Sequence, residues 1–326
     1  MRAIVVTAPG GPEVLQLREV PSPEPPHGHV RVRVAFVGVN RADLMQRLGV
    51  YPAPPGVPAD IPGLEYAGTI DAVGAGVTRL RTGQRVFGLV AGGAYAEQLV
   101  VHEREVVATP DALSDEHAAA VPEAFVTAYD ALVVRGRLEP GERVLVHAAG
   151  SGVGTAAVQI ARALGCTVIG TSRTAHKLER ARMLGLDVGI VPENDAFAEP
   201  VRAATGGAGV DVVLELVGGR YVSEDLRACA PRGRIVVVGL TAGRSAELDL
   251  GTLLRLRLEI VGTVLRSRPL EEKIDAARLL ERTIVPWLAR GVCKPIVDRV
   301  FALSEAGAAH AHVATDGSFG KVLLRV

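Results

Sequence analysis

The sequence predicts an α/β protein in which a β-rich domain is joined to a doubly wound parallel sheet. Residues 1 to about 122 hold short alternating apolar runs broken by Gly and Pro, whereas residues from about 124 to 264 alternate apolar strands with helical periodicity. Between 144 and 161 an apolar run meets a cluster of small residues and then a helical pattern, which reads as a strand, a tight turn and a helix start. With 326 residues, 48% of them hydrophobic, the chain has length for two domains and side chains to fill their cores.

The first domain opens on the run Ala3-Ile4-Val5-Val6 and continues through strand-like runs at 30–37, 66–73 and 84–90. Residues 51–62 carry Pro52, Pro54, Pro55, Pro58 and Pro62, too many missing donors for a helix or a central strand, so they form a stiff loop. The second domain has six apolar runs, at 144–146, 167–170, 188–191, 210–215, 234–238 and 259–263, enough for a doubly wound sheet of six parallel strands. Beyond it, 270–288 reads as a helix, and 297–301 and 321–326 return to strand character. The last apolar run, Val322-Leu323-Leu324, needs sheet partners, and a remnant of about 60 residues does not bury a core alone. The tail is therefore expected to rejoin the first domain.

Thirty-six basic and 36 acidic residues cancel without long runs of like charge, which points away from nucleic acid and anionic membranes and toward small-molecule chemistry. Cys166, Cys229 and Cys293 are odd in number, far apart and without zinc-type spacing, so neither a disulfide scaffold nor a structural metal is indicated, and a reducing cytoplasm is the simplest setting. No stretch of about 18 apolar residues suggests a membrane span, and no signal peptide is evident after Met1.

The turn Ala148-Ala149-Gly150-Ser151-Gly152-Val153-Gly154 is the main functional signal. Glycines there let a backbone approach a pyrophosphate, and the amides and positive dipole end of the following helix hold its charge. A plain strand-to-helix turn is the bland alternative. The Pro140-Gly141 break before the strand, and Val153, Ala157, Ile160, Ala161 and Leu164 at helical spacing up to Gly165, favour a dinucleotide. About 20 residues after such a turn, NAD-specific proteins carry a carboxylate for the ribose hydroxyls. Here Thr171-Ser172-Arg173 and then Lys177 offer a hydroxyl and two cations, which match the 2′-phosphate of NADPH unless they merely form a solvated helix start.

The segments 38–47, 51–55, Gly63-Leu64-Glu65, 149–157 and Leu265-Arg266-Ser267-Arg268 together resemble the medium-chain dehydrogenase/reductase superfamily, and within it the zinc-free quinone oxidoreductases. The similarity is closest to the p53-inducible quinone oxidoreductase-like branch, related to zeta-crystallin, and runs from the first strand to Gly320-Lys321-Val322. The resemblance implies a GroES-like catalytic domain over 1–122 and 266–326, a Rossmann domain over 123–265, NADPH in the cleft between them, and a homodimer formed by edge pairing near 259–265. It further implies that Thr127, Gly152, Val153, Gly239, Leu240, Val264, Leu265 and Lys321 surround the cofactor together with Ser151, Gly154, Ser172, Arg173 and Lys177. Zinc-dependent relatives place Cys near Asn40 and His at Leu64, and neither replacement is a comparable ligand, so a metal-free reaction is expected. Ser151 stands where many members have glycine, and Pro192 lies near where many have an adenosine-flanking tyrosine.

Hydride transfer to an acceptor leaves negative charge on a quinone oxygen or an enolate, which calls for hydrogen-bond donors; Asn40 and Tyr51 are the candidates, although each has a purely structural alternative. His147 reads as a packed core histidine, while Glu65, Glu123, Arg266 and Arg268 are junction or cleft-border candidates. The expected activity is NADPH:quinone reduction. Reduction of an activated double bond in an enone or enal is the nearest alternative, and an NADPH-binding sensor or structural protein with little turnover is a third.

Overall fold

The computed structural model describes Met1–Thr315 and Gly317–Val326. Its strands, in chain order, are β1 (Arg2–Val6), β2 (Leu15–Glu19), β3 (His29–Val39), β4 (Glu65–Val73), β5 (Arg85–Leu89), β6 (Gln98–His102), β7 (Val106–Ala108), β8 (Arg143–Val146), β9 (Thr167–Thr171), β10 (Val188–Ile190), β11 (Val210–Glu215), β12 (Cys229–Val237), β13 (Glu259–Gly262), β14 (Val297–Ala302) and β15 (Lys321–Arg325). They fall into two compact units: Met1–Val126 with Leu265–Val326, and Thr127–Val264. The chain leaves the first unit within the helix Pro122–Tyr129.

In the first unit, β3 is the spine. Its valines Val30, Val32 and Val34 and, past an irregularity between Val34 and Phe36, Val37 join a core shared with Ile4, Tyr66, Ile70, Val86, Tyr95 and Leu324. The sheet order is β14-β15-β3-β4-β5-β7, with β6 also on β3, and β15 lies antiparallel to β3 with Leu323 opposite Gly38. The C-terminal tail thus finds its sheet partners in the first unit. Residues 51–62 contain no helix or strand, in keeping with their prolines.

The second unit is a six-stranded sheet of order β10-β9-β8-β11-β12-β13, every pairing parallel. This is the doubly wound dinucleotide-binding order, whose crevice lies where the order reverses, at the C-terminal ends of β8 and β11. Strand β12 starts earlier than the apolar run at 234–238: it pairs Cys229 with Val210, bulges through Arg232 at φ 66°, and resumes at Arg234 opposite Val212. The helix expected over 270–288 is divided into Leu270–Leu279, a widened turn at Leu280–Ile284, and Val285–Ala289. Pro286 has no N–H to continue the regular ladder, which accounts for the irregularity. Among the described residues no helix is long and apolar enough to cross a membrane.

Candidate functional site

The glycine turn follows β8 directly. Ala148 adopts φ 46°, and Ser151 caps the helix Gly152–Ala163 by accepting the Gly154 amide at 3.0 Å. A Cβ on Gly154 would stand 2.3 Å from the Ala148 carbonyl oxygen, so only glycine permits this approach. The helix has no acidic residue in its first turn, leaving its positive end uncompensated, and it stops where Gly165 turns left-handed at φ 77°. Such an end, with the leading amides of Gly152 and Val153, suits a pyrophosphate.

Two further segments adjoin this turn. Ala149 donates its amide to Thr171 at the end of β9, which sets Ser172 and Arg173 just beyond the turn's neighbouring strand. Ser172 is buried, Arg173 exposed and Lys177 half-buried, and no carboxylate occupies the 171–173 stretch. Gly239 follows β12, where both it and Val238 donate amides to the Glu215 carbonyl; a Cβ on Gly239 would meet the Leu216 carbonyl at 2.3 Å. Leu240 and Val264 are exposed, and Thr127 is buried in the helix Pro122–Tyr129. The second unit therefore carries Thr127, Ser151–Val153, Gly154, Ser172, Arg173, Lys177, Gly239, Leu240 and Val264.

The remaining candidates lie in the first unit. Lys321, 4% exposed, donates to Glu65 Oε1 at 2.6 Å, to Asn40 Oδ1 at 2.6 Å and to the Val39 carbonyl at 3.1 Å. All three ammonium hydrogens have protein acceptors. Asn40 in turn donates from Nδ2 to Glu65 Oε1 at 2.9 Å, and the other Glu65 oxygen accepts the Glu123 amide at 2.8 Å. Asn40 is thus held as part of a buried charged network rather than swinging freely. Below it, Asp43 accepts the Asn40 and Gly63 amides and the Tyr95 hydroxyl, and burial pushes its carboxyl up to about 6.

Tyr51 is half-buried, with the Arg266 guanidinium 5.1 Å from its ring centroid and donating to its carbonyl at 3.2 Å. Arg266 also donates to Ala91 and Gln46, so it fixes the proline-rich loop's first residue against two other segments. Burial raises the Tyr51 phenol and keeps it protonated. Leu64, Glu123, Leu265 and Arg266 line one small cavity of this unit, and burial followed by repulsion from Glu65 pushes Glu123 up to about 8. The partner set of Lys321 had no local signal in the sequence, because Asn40 and Glu65 lie hundreds of residues away along the chain.

One group of three metal-type donors occurs among the described residues: His147, Glu215 and Asp225, fully buried, with ligand atoms within 4.8 Å of one another. At Asn40 and Leu64, where zinc-dependent relatives place Cys and His, this chain presents a committed amide and an apolar side chain.

The chain matches the alcohol dehydrogenase GroES-like domain model over residues 26–111 and the zinc-binding dehydrogenase model over 152–282. It is 35% identical to a quinone oxidoreductase of Pseudomonas aeruginosa, over 99% of both chains. It is 40% identical to the polyketide synthase GfsB of Streptomyces halstedii over 92% of its own length, but spans only 5% of that protein. Among solved structures, an Escherichia coli quinone oxidoreductase complexed with NADPH superposes with a TM-score of 0.90 at 31% identity, covering 100% of both chains. Full-length similarity at this level, both domain models and the strand order together place the chain in the quinone oxidoreductase family of the medium-chain dehydrogenases/reductases, and it is an oxidoreductase enzyme by that membership.

Proposed function

We propose that this oxidoreductase uses NADPH to reduce a quinone by direct, metal-free hydride transfer. The observation that carries the reading is the uncompensated helix end at Ser151–Val153, Gly154 with a hydroxyl and a cation, Ser172 and Arg173, beyond the adjacent strand. That donor set fits a dinucleotide bearing a 2′-phosphate, and the NADPH of the Escherichia coli relative supports it. NADPH, when bound, supplies the hydride. Gly152 and Val153 offer amides to its phosphates, Arg173 and Lys177 balance the 2′-phosphate, and Thr127, Gly239, Leu240 and Val264 complete its surroundings on the second unit.

Tyr51, protonated and braced by Arg266, is the donor for charge developing on the acceptor oxygen, and Asn40, held by Lys321 and Glu65, is the second polar group offered to it. Solvent replenishes the proton. Among the described residues, edge strand β13 has only β12 as a sheet neighbour, with Ile260 exposed, which supports a homodimer formed by strand pairing. Three buried, unpaired cysteines fit a reducing cytoplasm.

The test is anaerobic NADPH oxidation by one purified sample against benzoquinones, naphthoquinones, enones and enals. Quinone turnover well above the others supports the reading. Faster turnover of enones or enals assigns a double-bond reductase instead, and tight NADPH binding with no oxidation by any acceptor assigns a sensor or structural protein.

A further inference from the structure

His147 stands just past β8, Thr171 ends β9, Glu215 ends β11 and Asp225 lies on the helix Tyr221–Ala228 that follows. These are the neighbouring strand ends at which the sheet order reverses. His147 Nδ1 is 2.8 Å from Thr171 Oγ1, and its Nε2 is 2.8 Å from Asp225 Oδ1. Burial holds the imidazole neutral, so Nε2–H donates to Asp225 and Nδ1 accepts from the Thr171 hydroxyl. Glu215 Oε1 accepts the amides of Val217 and Gly218, the latter at 2.8 Å.

Two oxygens are left over. Glu215 Oε2 and Asp225 Oδ2 are buried without a hydrogen-bond partner, and the ligand atoms of His147, Glu215 and Asp225 all lie within 4.8 Å of one another. Two carboxyls this close are not both ionised when neither is exposed to solvent, and Phe197 and Tyr221 pack on the adjoining imidazole at centroid distances of 4.7 and 5.0 Å. Desolvation raises both acids, so the pair keeps a proton to higher pH than an ordinary carboxyl does.

The position of this cluster gives it a role. His147 precedes the glycine turn, Thr171 precedes Ser172 and Arg173, and Glu215 anchors the Val217–Gly218 amides with its side chain and the Val238–Gly239 amides with its carbonyl. Every segment assigned to the cofactor's phosphates and to Gly239 is thereby tied to one buried hydrogen-bonded group. We propose that His147, Asp225 and Glu215 form a one-proton clamp that positions the NADPH-binding loops of the Rossmann unit, and that NADPH affinity depends on that proton. The inference rests on NADPH as the cofactor. With the proton in place the cluster carries one negative charge, and losing it adds a second behind loops that must receive phosphates.

Other charges bear on the cluster. Glu224, beside Asp225, is occupied by the Phe197 and Ala198 amides and by Arg227; Arg173 and the Arg220-paired Asp195 act on Tyr221. These exposed or compensated groups do not share the buried proton, so replacing Glu215 isolates its contribution.

The full-length protein is titrated with NADPH from pH 6.5 to 9.5, as wild type, Glu215→Gln and Asp225→Asn, with thermal midpoints recorded. A glutamine keeps the acceptor for Val217 and Gly218 and donates to Asp225, copying the protonated acid; Asp225→Asn removes the second carboxylate should Glu215→Gln not fold. Wild-type Kd is expected to rise at least threefold across this range, while either variant changes less than twofold. In parallel, the infrared difference between wild type and Glu215→Gln, measured without NADPH, should contain the carbonyl band of a protonated carboxyl, and that difference band should be lost on alkalinisation. Parallel pH profiles in wild type and variants, or no such band, overturn the clamp. One equivalent of divalent metal held by wild type and lost in Glu215→Gln also overturns it, since a cation would replace the proton. No NADPH binding by wild type at any pH overturns the affinity claim together with the cofactor reading, whereas NADPH binding with parallel profiles overturns the clamp alone.

Discussion

Lys321 Nζ lies 2.6 Å from Glu65 Oε1, with the two side chains 5% and 0% exposed. Two charges so far from water are tolerable only because Asn40, the Val39 carbonyl and the Glu123 amide satisfy what the pair leaves over. The pair is a structural keystone of the first unit and fixes one of the proposed acceptor-site groups, Asn40.

Lys321→Met strands the Glu65 carboxylate and is expected to destabilise the first unit by about 3–5 kcal/mol, whereas adding Glu65→Gln restores part of that loss. Urea denaturation of both variants checks this. Equal stability of the single variant and wild type would remove the pair from the core's support.

Glu215 is pushed up to about 8 in the folded protein and ionises in the ordinary carboxylate range when unfolded. A raised folded value means its stabilising contribution is complete at low pH and is lost as pH climbs through the folded value. Between pH 5 and 7.5 the stability of wild type should fall relative to Glu215→Gln by about 1.4 kcal/mol per pH unit. Denaturation curves at three pH values give the slope, and a constant difference contradicts a buried proton on Glu215.

Arg173→Ala should raise the Km for NADPH roughly 10- to 100-fold while leaving that for NADH nearly unchanged, the range set by losing a charge-assisted hydrogen bond worth about 1.5–3 kcal/mol. Steady-state kinetics with both cofactors decides it. An equal loss for both assigns Arg173 to general folding rather than to the 2′-phosphate.

Tyr51→Phe should lower quinone turnover about tenfold with NADPH affinity intact, because the phenol's proton is lost while the ring stays on Arg266. Unchanged kcat across several quinones would take Tyr51 out of the chemistry.

Signals confined to a few neighbouring residues were legible in the sequence. The run 144–146, the small-residue turn and the 3.6-residue spacing up to Gly165 specified β8, the tight turn and the helix Gly152–Ala163, because each depends on backbone geometry within one or two turns. The parallel six-stranded sheet followed from alternation of such units. Where a local signal misled, another local feature intervened: the Pro231-Arg232-Gly233 stretch hid a bulge inside β12, and Pro286 interrupted an otherwise helical pattern.

The charged networks were decided by the tertiary structure alone. Asn40 reads as either an acceptor-site donor or a structural amide until Lys321 and Glu65 close on it from β15 and β4, and His147 reads as a packed core residue until Asp225, Glu215 and Thr171 surround it. Which residue carries a proton, and which cation is spoken for, depends on desolvation and on partners brought together across the fold. Spacing along the chain encodes strands, turns and caps; it does not encode the dielectric or the company in which a side chain is buried.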